Sequence, residues 1–236
     1  MAVLRDARTF TVDDPRFSTA KVVGPSMLSL DGAAHARHRG PFNRPFRHDE
    51  VQARLAAFTR AETGRLVSAI EPHGAAELRR AVAGPLAVTV MAEVLGLGQA
   101  DPGTILTWYD GIVAAVQAEG AAAGRGTGDG IGDRTGAATG VATGADGVTS
   151  VAAGGTAAFG ELAASLREVI ARGGSLLAEV TGPLAEDEAV SNAAVLMFGG
   201  IETTEGMIAN ALLHLLSSPA ELALVLADPG LVPAAV

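Results

Sequence analysis

The stretch Leu196-Met197-Phe198-Gly199-Gly200-Ile201-Glu202-Thr203-Thr204 lies in the most apolar helical pattern of the chain, over roughly residues 189–217. Two adjacent glycines, an acid and two β-branched hydroxyl residues are all poor choices inside a helix. A local departure from folding preference in a core element is where a functional site is expected. The stretch therefore predicts a long apolar helix that carries a candidate site at its centre.

Two interpretations of this stretch stay open. Adjacent glycines at 199 and 200 leave the helix surface bare, so that a flat or bulky group can approach the backbone. Thr side chains can take over backbone hydrogen bonds and bend a helix. A bare groove with a carboxylate and a hydroxyl suggests proton delivery beside a bound flat ligand. The alternative is a helix–helix crossing that the glycines allow, with Glu202 facing solvent.

A second candidate site lies in Asp31-Gly-Ala-Ala-His35-Ala-Arg37-His38-Arg39. On a helix that begins after Asp31, positions 35 and 39 are one turn apart and face the same way. An imidazole and a guanidinium on one face can bind a single anion through charge-assisted hydrogen bonds. The alternative is a solvated basic face, and Arg37, which is off the 35/39 face, is expected to be solvated.

The composition of the chain predicts a mainly α-helical fold. Hydrophobic residues make up 48% of its 236 residues and aromatic residues only 4%, and Ala and Leu favour helices over strands. Residues 120–158 differ, because they form a low-complexity tract of Gly, Ala and Thr without an aromatic residue before Phe159. Such a tract buries too little apolar surface to offset chain entropy, so we expect a flexible insertion there.

Composition and charge exclude several functional classes. The net charge is −9, which is unsuited to general binding of nucleic acid phosphates. The chain has no cysteine, so disulfides, thiolate metal sites and a cysteine nucleophile are excluded in it. The N-terminus lacks the pattern of a signal peptide, and the apolar stretches beside Glu202 and Glu205 are shorter than the roughly 20 residues of a membrane span. A cytoplasmic protein without membrane or nucleic acid partners is the expectation.

The two motifs together, in this order, resemble a cytochrome P450 of the soluble bacterial type. The segment from Asp31 to Arg39 is similar to the start of the family's C-helix, and Gly199 to Thr204 is similar to its I-helix motif. The resemblance covers nearly the whole chain except residues 120–158. It implies that residues 1–236 form one partial P450 domain, an incomplete all-α fold around a long central I-helix.

The resemblance implies a role for each matching residue. His35 and Arg39 would bind the haem propionates, while Gly199 and Gly200 would line the groove over the haem for dioxygen and substrate. Glu202 and Thr203 would be the acid and the alcohol that relay protons to dioxygen at the haem. The family also implies a small organic substrate and a ferredoxin-type electron donor.

Departures from the family pattern limit what the chain does alone. In the family a cysteine thiolate holds the iron, whereas this chain contains no cysteine and offers no metal ligand of that kind. The Glu-x-x-Arg motif expected after the I-helix is also missing, so we expect a truncated P450 that is inactive by itself. The alternatives are a haemless helical binding protein and a non-functional remnant. Uncovered core faces are expected to leave an exposed apolar patch.

Overall fold

A computed structural model of the protein describes residues 6, 8–12, 14–126 and 145–232. This part of the chain contains helices and no β-strand, which confirms the prediction of a mainly α fold. The helices are α1 (Ser18–Val23), α2 (Gly32–Asn43), α3 (His48–Ile70), α4 (Gly84–Leu95), α5 (Pro102–Gly126), α6 (Ala145–Arg172), α7 (Leu176–Val180), α8 (Glu186–Ser217) and α9 (Pro219–Ala227).

Helix α4 is preceded by a π-helical turn, Arg79–Ala83, and the two meet at Gly84. Pro85 explains the change of helix type, because it has no N–H to donate to a preceding carbonyl. Helix α4 ends at Gly96, whose φ of +76° lies in the left-handed region that suits glycine. The change of helix type therefore lies beside Pro85, and the end of α4 lies at Gly96.

The core lies where α4, α5, α6 and α8 meet. Helix α8 is buried from Ala189 to Val195 and again at Met197 and Ile201. Helices α5 and α6 approach closely, since a Cβ atom added at Gly155 would lie 2.1 Å from the Cβ atom of Ala115. Small residues at this crossing are what allow the two backbones to pack together.

The tract predicted to be a flexible insertion, residues 120–158, is helical at both of its described ends. Helix α5 continues to Gly126 and α6 begins at Ala145, and buried Gly155 packs on α5. Residues 127–144 lie outside the described residues, so flexibility there stays a prediction.

An apolar surface is exposed at the other end of α8. No residue of α8 after Ile201 is buried, and α9 has no buried residue. Several large apolar side chains of this surface are more than half exposed: Met207, Leu213, Leu216, Leu224 and Leu226. We call this set the α8–α9 apolar surface, and it matches the exposed patch that the sequence leads us to expect.

Among the described helices, none is individually long and apolar enough to cross a membrane. Helices α8 and α9 pass a test of length and composition only as a pair, which is bent by 103° at the break between them.

Candidate functional site

The two glycines of α8 have different surroundings. A Cβ atom at Gly200 would lie 2.5 Å from Sδ of Met91, so Gly200 packs closely on α4. A Cβ atom at Gly199 would meet nothing within 4 Å. The helix-crossing interpretation therefore describes Gly200, and the bare-groove interpretation describes Gly199.

Thr203 lies one turn after Gly199 and is bonded to it. Its Oγ1 donates a hydrogen bond of 2.5 Å to the Gly199 carbonyl oxygen. This is the back-bonding that lets a Thr compete for a helix carbonyl. The exposed Thr203 hydroxyl is thus fixed on the open side of α8 beside the bare Gly199.

Glu202 is exposed and is contacted from α5. The Tyr109 hydroxyl donates to Oε2 of Glu202 over 3.3 Å, and the Tyr109 ring lies 6.3 Å from the ring of Phe198. Burial raises the pKa of Tyr109 to about 12, and the Glu202 carboxylate adds to the rise as a nearby negative charge and hydrogen-bond acceptor. A tyrosine that sequence reasoning did not identify therefore borders the candidate proton-delivery site.

Glu205 follows Ile201 by one turn of α8, and it accepts a hydrogen bond of 2.5 Å from Nε of Arg79. Glu202 and Glu205 consequently differ in their partners. Glu202 contacts a neutral hydroxyl on the exposed side of α8, whereas Glu205 is engaged in an ion pair with a guanidinium.

His35 and Arg39 lie on α2 as the sequence predicts. His35 is half-buried and Arg39 is exposed. Within the described residues, neither side chain has a hydrogen bond or ion pair to another group. The structure leaves both side chains available to a ligand, and their binding of an anion stays a prediction.

Arg37 is exposed, as expected, but the expectation that it is only solvated missed an ion pair. Its Nη1 and Nη2 atoms donate to both carboxylate oxygens of Glu188, at 2.7 and 2.5 Å. Glu188 lies in the first turn of α8 and also accepts from the Ala185 amide at 3.0 Å. The reason for the error is the partner's distance along the chain, since Glu188 follows Arg37 by 151 residues.

His38 is the buried neighbour of this ion pair, with 1% of its surface exposed. Asn192 of α8, which is fully buried, contacts Nδ1 of His38 through Nδ2 at 2.9 Å. Its orientation is set by two backbone groups, because Oδ1 accepts from the Met27 amide and Nδ2 donates to the Glu188 carbonyl. Nδ1 of His38 is therefore the acceptor in this contact, and Nε2 lies 3.4 Å from Oε1 of Glu188 and 3.1 Å from Nη2 of Arg37.

Among curated proteins, the chain is similar to methyl-branched lipid omega-hydroxylases of mycobacteria. The chain is 34% identical over 101 residues to the methyl-branched lipid omega-hydroxylase of Mycobacterium tuberculosis strain H37Rv. The match covers 42% of this chain and 23% of that protein. No family model matches the chain.

Solved structures show the fold over a greater length. CalO2 is 25% identical with a TM-score of 0.69, and the match covers 98% of this chain and 57% of that chain. Cytochrome P450 260B1 of Sorangium cellulosum So Ce56 is 22% identical with a TM-score of 0.74, and the match covers 98% of this chain and 54% of that chain. P450BioI, solved with an acyl carrier protein carrying hexadec-9Z-enoic acid, is 20% identical with a TM-score of 0.71. The match covers 95% of this chain and 57% of that chain.

The chain thus spans just over half the length of these solved P450 structures and about a quarter of the hydroxylase. Over that length it has the helical fold of a cytochrome P450, as the resemblance of its two motifs implies.

That fold implies haem, and the residues present fit one side of it. His35 and Arg39 have no other partners in the described chain, and Gly199 leaves space for a flat group beside α8. The iron of a P450 haem is held by a cysteine thiolate, and none of the 236 residues is a cysteine. His35 and Arg39 would hold the propionates of such a group, but the chain has no thiolate ligand for its iron.

The contact between Arg37 and Glu188 predicts a specific acid sensitivity. Hydrogen bonds from Arg37 lower the pKa of Glu188 from 4.5 to about 2. The stabilisation is therefore complete above pH 4.5 and is lost as the pH falls towards 2. We expect Glu188→Gln to lower the unfolding free energy by roughly 1 kcal/mol at pH 7, with a difference from wild type that vanishes near pH 2.

Urea unfolding followed by circular dichroism across this pH range measures that difference. Glu221→Gln is the control, since within the described residues the Glu221 side chain has no hydrogen bond or ion pair. A Glu188→Gln effect that is independent of pH would contradict the assignment.

Tyr109 provides a second titration, because it is the one tyrosine of the chain. The absorbance of its phenolate should have a midpoint near pH 12 in the folded protein and near 10 after unfolding. We expect Glu202→Gln to lower the folded midpoint without bringing it to 10, since burial is the larger cause. Glu205→Gln should have a smaller effect, and a wild-type midpoint of 10 would show that Tyr109 is solvated.

Proposed function

We propose that this chain, which has the fold of a cytochrome P450, supplies the dioxygen-side part of the haem site of a P450-type monooxygenase. The observation that carries the proposal is the open side of α8. There a bare Gly199, a back-bonded Thr203 and an exposed Glu202 lie within about one helical turn.

In this proposal each group has one task. His35 and Arg39 bind the two propionates, and Gly199 lets the flat ring system approach the α8 backbone. Gly200 keeps α8 seated on α4 through its contact with Met91, so it acts through packing more than by lining the groove. The haem, when bound, supplies the binding and reduction of dioxygen.

Proton delivery is the task of Glu202 and Thr203. The Glu202 carboxyl exchanges protons with solvent, and the Tyr109 hydroxyl holds it on the α5 side of the groove. Thr203 keeps its hydroxyl proton directed at the Gly199 carbonyl and its lone pairs towards the open side. A relay through this pair requires the Thr203 hydroxyl to turn from the Gly199 carbonyl, so that it accepts a proton from the Glu202 side and donates its own into the groove.

The substrate class is a small organic molecule oxidised with dioxygen, and the electrons come from a ferredoxin-type donor in the cytoplasm. The hydroxylase relative supports an aliphatic substrate. A sulfur ligand for the iron must come from polypeptide outside these 236 residues, and the α8–α9 apolar surface is the place where such polypeptide packs. The competing function is a haemless helical binding protein, which the lack of cysteine favours.

Co-expression with the C-terminal segment of a related P450 that carries the thiolate cysteine tests the proposal. We expect a haem complex whose reduced, carbon monoxide-bound form has the spectrum of a thiolate ligand. Glu202→Gln should then reduce product formation by about 10²-fold, because it removes the proton-delivering acid.

Thr203→Val and Thr204→Val form the matched pair in the same complex. Thr203→Val should divert reduced dioxygen to hydrogen peroxide, while Thr204→Val should leave product formation near wild type. Equal effects of the two substitutions would contradict the role of Thr203. A complex that folds without haem would favour the haemless binding protein.

A further inference from the structure

Helix α2 carries His35 and Arg39 but has little apolar anchorage of its own. Only His38 and Phe42 are buried among its twelve residues. Because burial of apolar surface is the main stabilising term for a helix in a protein, α2 depends to an unusual degree on its polar contacts.

Those polar contacts are concentrated in one group, which we call the α2–α8 polar cluster: Arg37, His38, Glu188 and Asn192. Arg37 and Glu188 form a two-pronged ion pair, and His38 and Asn192 form a buried hydrogen bond beside it. Buried polar side chains whose hydrogen bonds are satisfied specify one geometry, and here the buried members are His38 and Asn192, while Arg37 and Glu188 are partly exposed. The cluster meets that condition, since no buried polar side-chain atom of the described residues lacks a partner.

The position of the cluster in sequence relates it to the anion site. Arg37 and His38 stand between His35 and Arg39, within a single turn of α2. Fixing the first pair on α8 therefore fixes the direction in which the second pair points. A planar, two-pronged guanidinium–carboxylate contact also restricts rotation more than a single hydrogen bond does.

The position of the cluster on α8 relates it to the candidate proton-delivery site. Glu188 and Glu202 belong to the same helix and are 14 residues apart, which corresponds to roughly 21 Å along its axis. A continuous helix keeps that separation constant. The cluster thus sets where the anion-binding side chains lie relative to Gly199 and Glu202.

We propose that the α2–α8 polar cluster is a positioning device that holds His35 and Arg39 where they bind the two carboxylates of a flat ligand lying against α8. This inference rests on the proposed function for the identity of the ligand. It assigns to Arg37, His38, Glu188 and Asn192 an indirect role, since none of them needs to touch the ligand.

Haem and haem dimethyl ester are the probes, because the ester has the same ring and no free carboxylates. Binding is followed through quenching of Trp108, the one tryptophan of the chain. The variants are Arg37→Met, Glu188→Gln and both together, and Arg16→Met is the control for loss of an exposed ion pair.

We expect wild type to bind haem more tightly than the ester. Arg37→Met and Glu188→Gln should each weaken haem binding about tenfold and leave ester binding unchanged. The double variant should be no weaker than either single variant, because the two residues act as one unit. Arg16→Met should match wild type with both probes.

The outcomes separate the two proposals. If wild type prefers haem and Arg37→Met retains that preference, the positioning role is overturned while the proposed function stands. If wild type does not distinguish haem from its ester, the propionate role fails, and amide hydrogen exchange in residues 32–43 decides the positioning role. Exchange at least tenfold faster in Arg37→Met than in Arg16→Met supports it, and equal exchange overturns it.

Discussion

The close approach of α8 to α4 at Gly200 is the constraint on which the arrangement of the site depends. Met91 lies where a side chain at position 200 would be, so the rotation of α8 about its axis brings this face close to α4. That rotation places Ile201 in the core and leaves Gly199 facing open space. A longer side chain at position 200 would have to displace the Met91 side chain that fills this contact.

Helix α8 also connects features that are far apart in the chain. Its first turn holds α2 through Glu188, its middle carries Gly199 and Thr203, and its last turns continue the α8–α9 apolar surface. Buried residues end at Ile201, so the candidate site lies at the border between the packed and the uncovered parts of the helix. A site at such a border is accessible to a ligand and to further polypeptide at the same time.

The sequence predicts the helical class and the special character of Gly199 to Thr203, because propensity and spacing are local properties. The helix-crossing interpretation fits the packing at Gly200 and the exposure of Glu202, and the bare surface is found at Gly199, while proton delivery there stays a prediction. The error at Arg37 has a different origin, since its partner Glu188 is remote in sequence and helical-face reasoning considers only neighbours on the same helix. His38 belongs to a basic stretch yet is buried, because Asn192 is placed by tertiary packing to bond it.

Native-state hydrogen exchange along α8 tests the central claim most directly. The claim is that described elements pack the helix up to Ile201 and leave the following turns uncovered. The account predicts slow exchange for amides from 190 to 201 and exchange at least tenfold faster from 206 to 217. Uniformly slow exchange over the whole helix in the monomeric chain would contradict it.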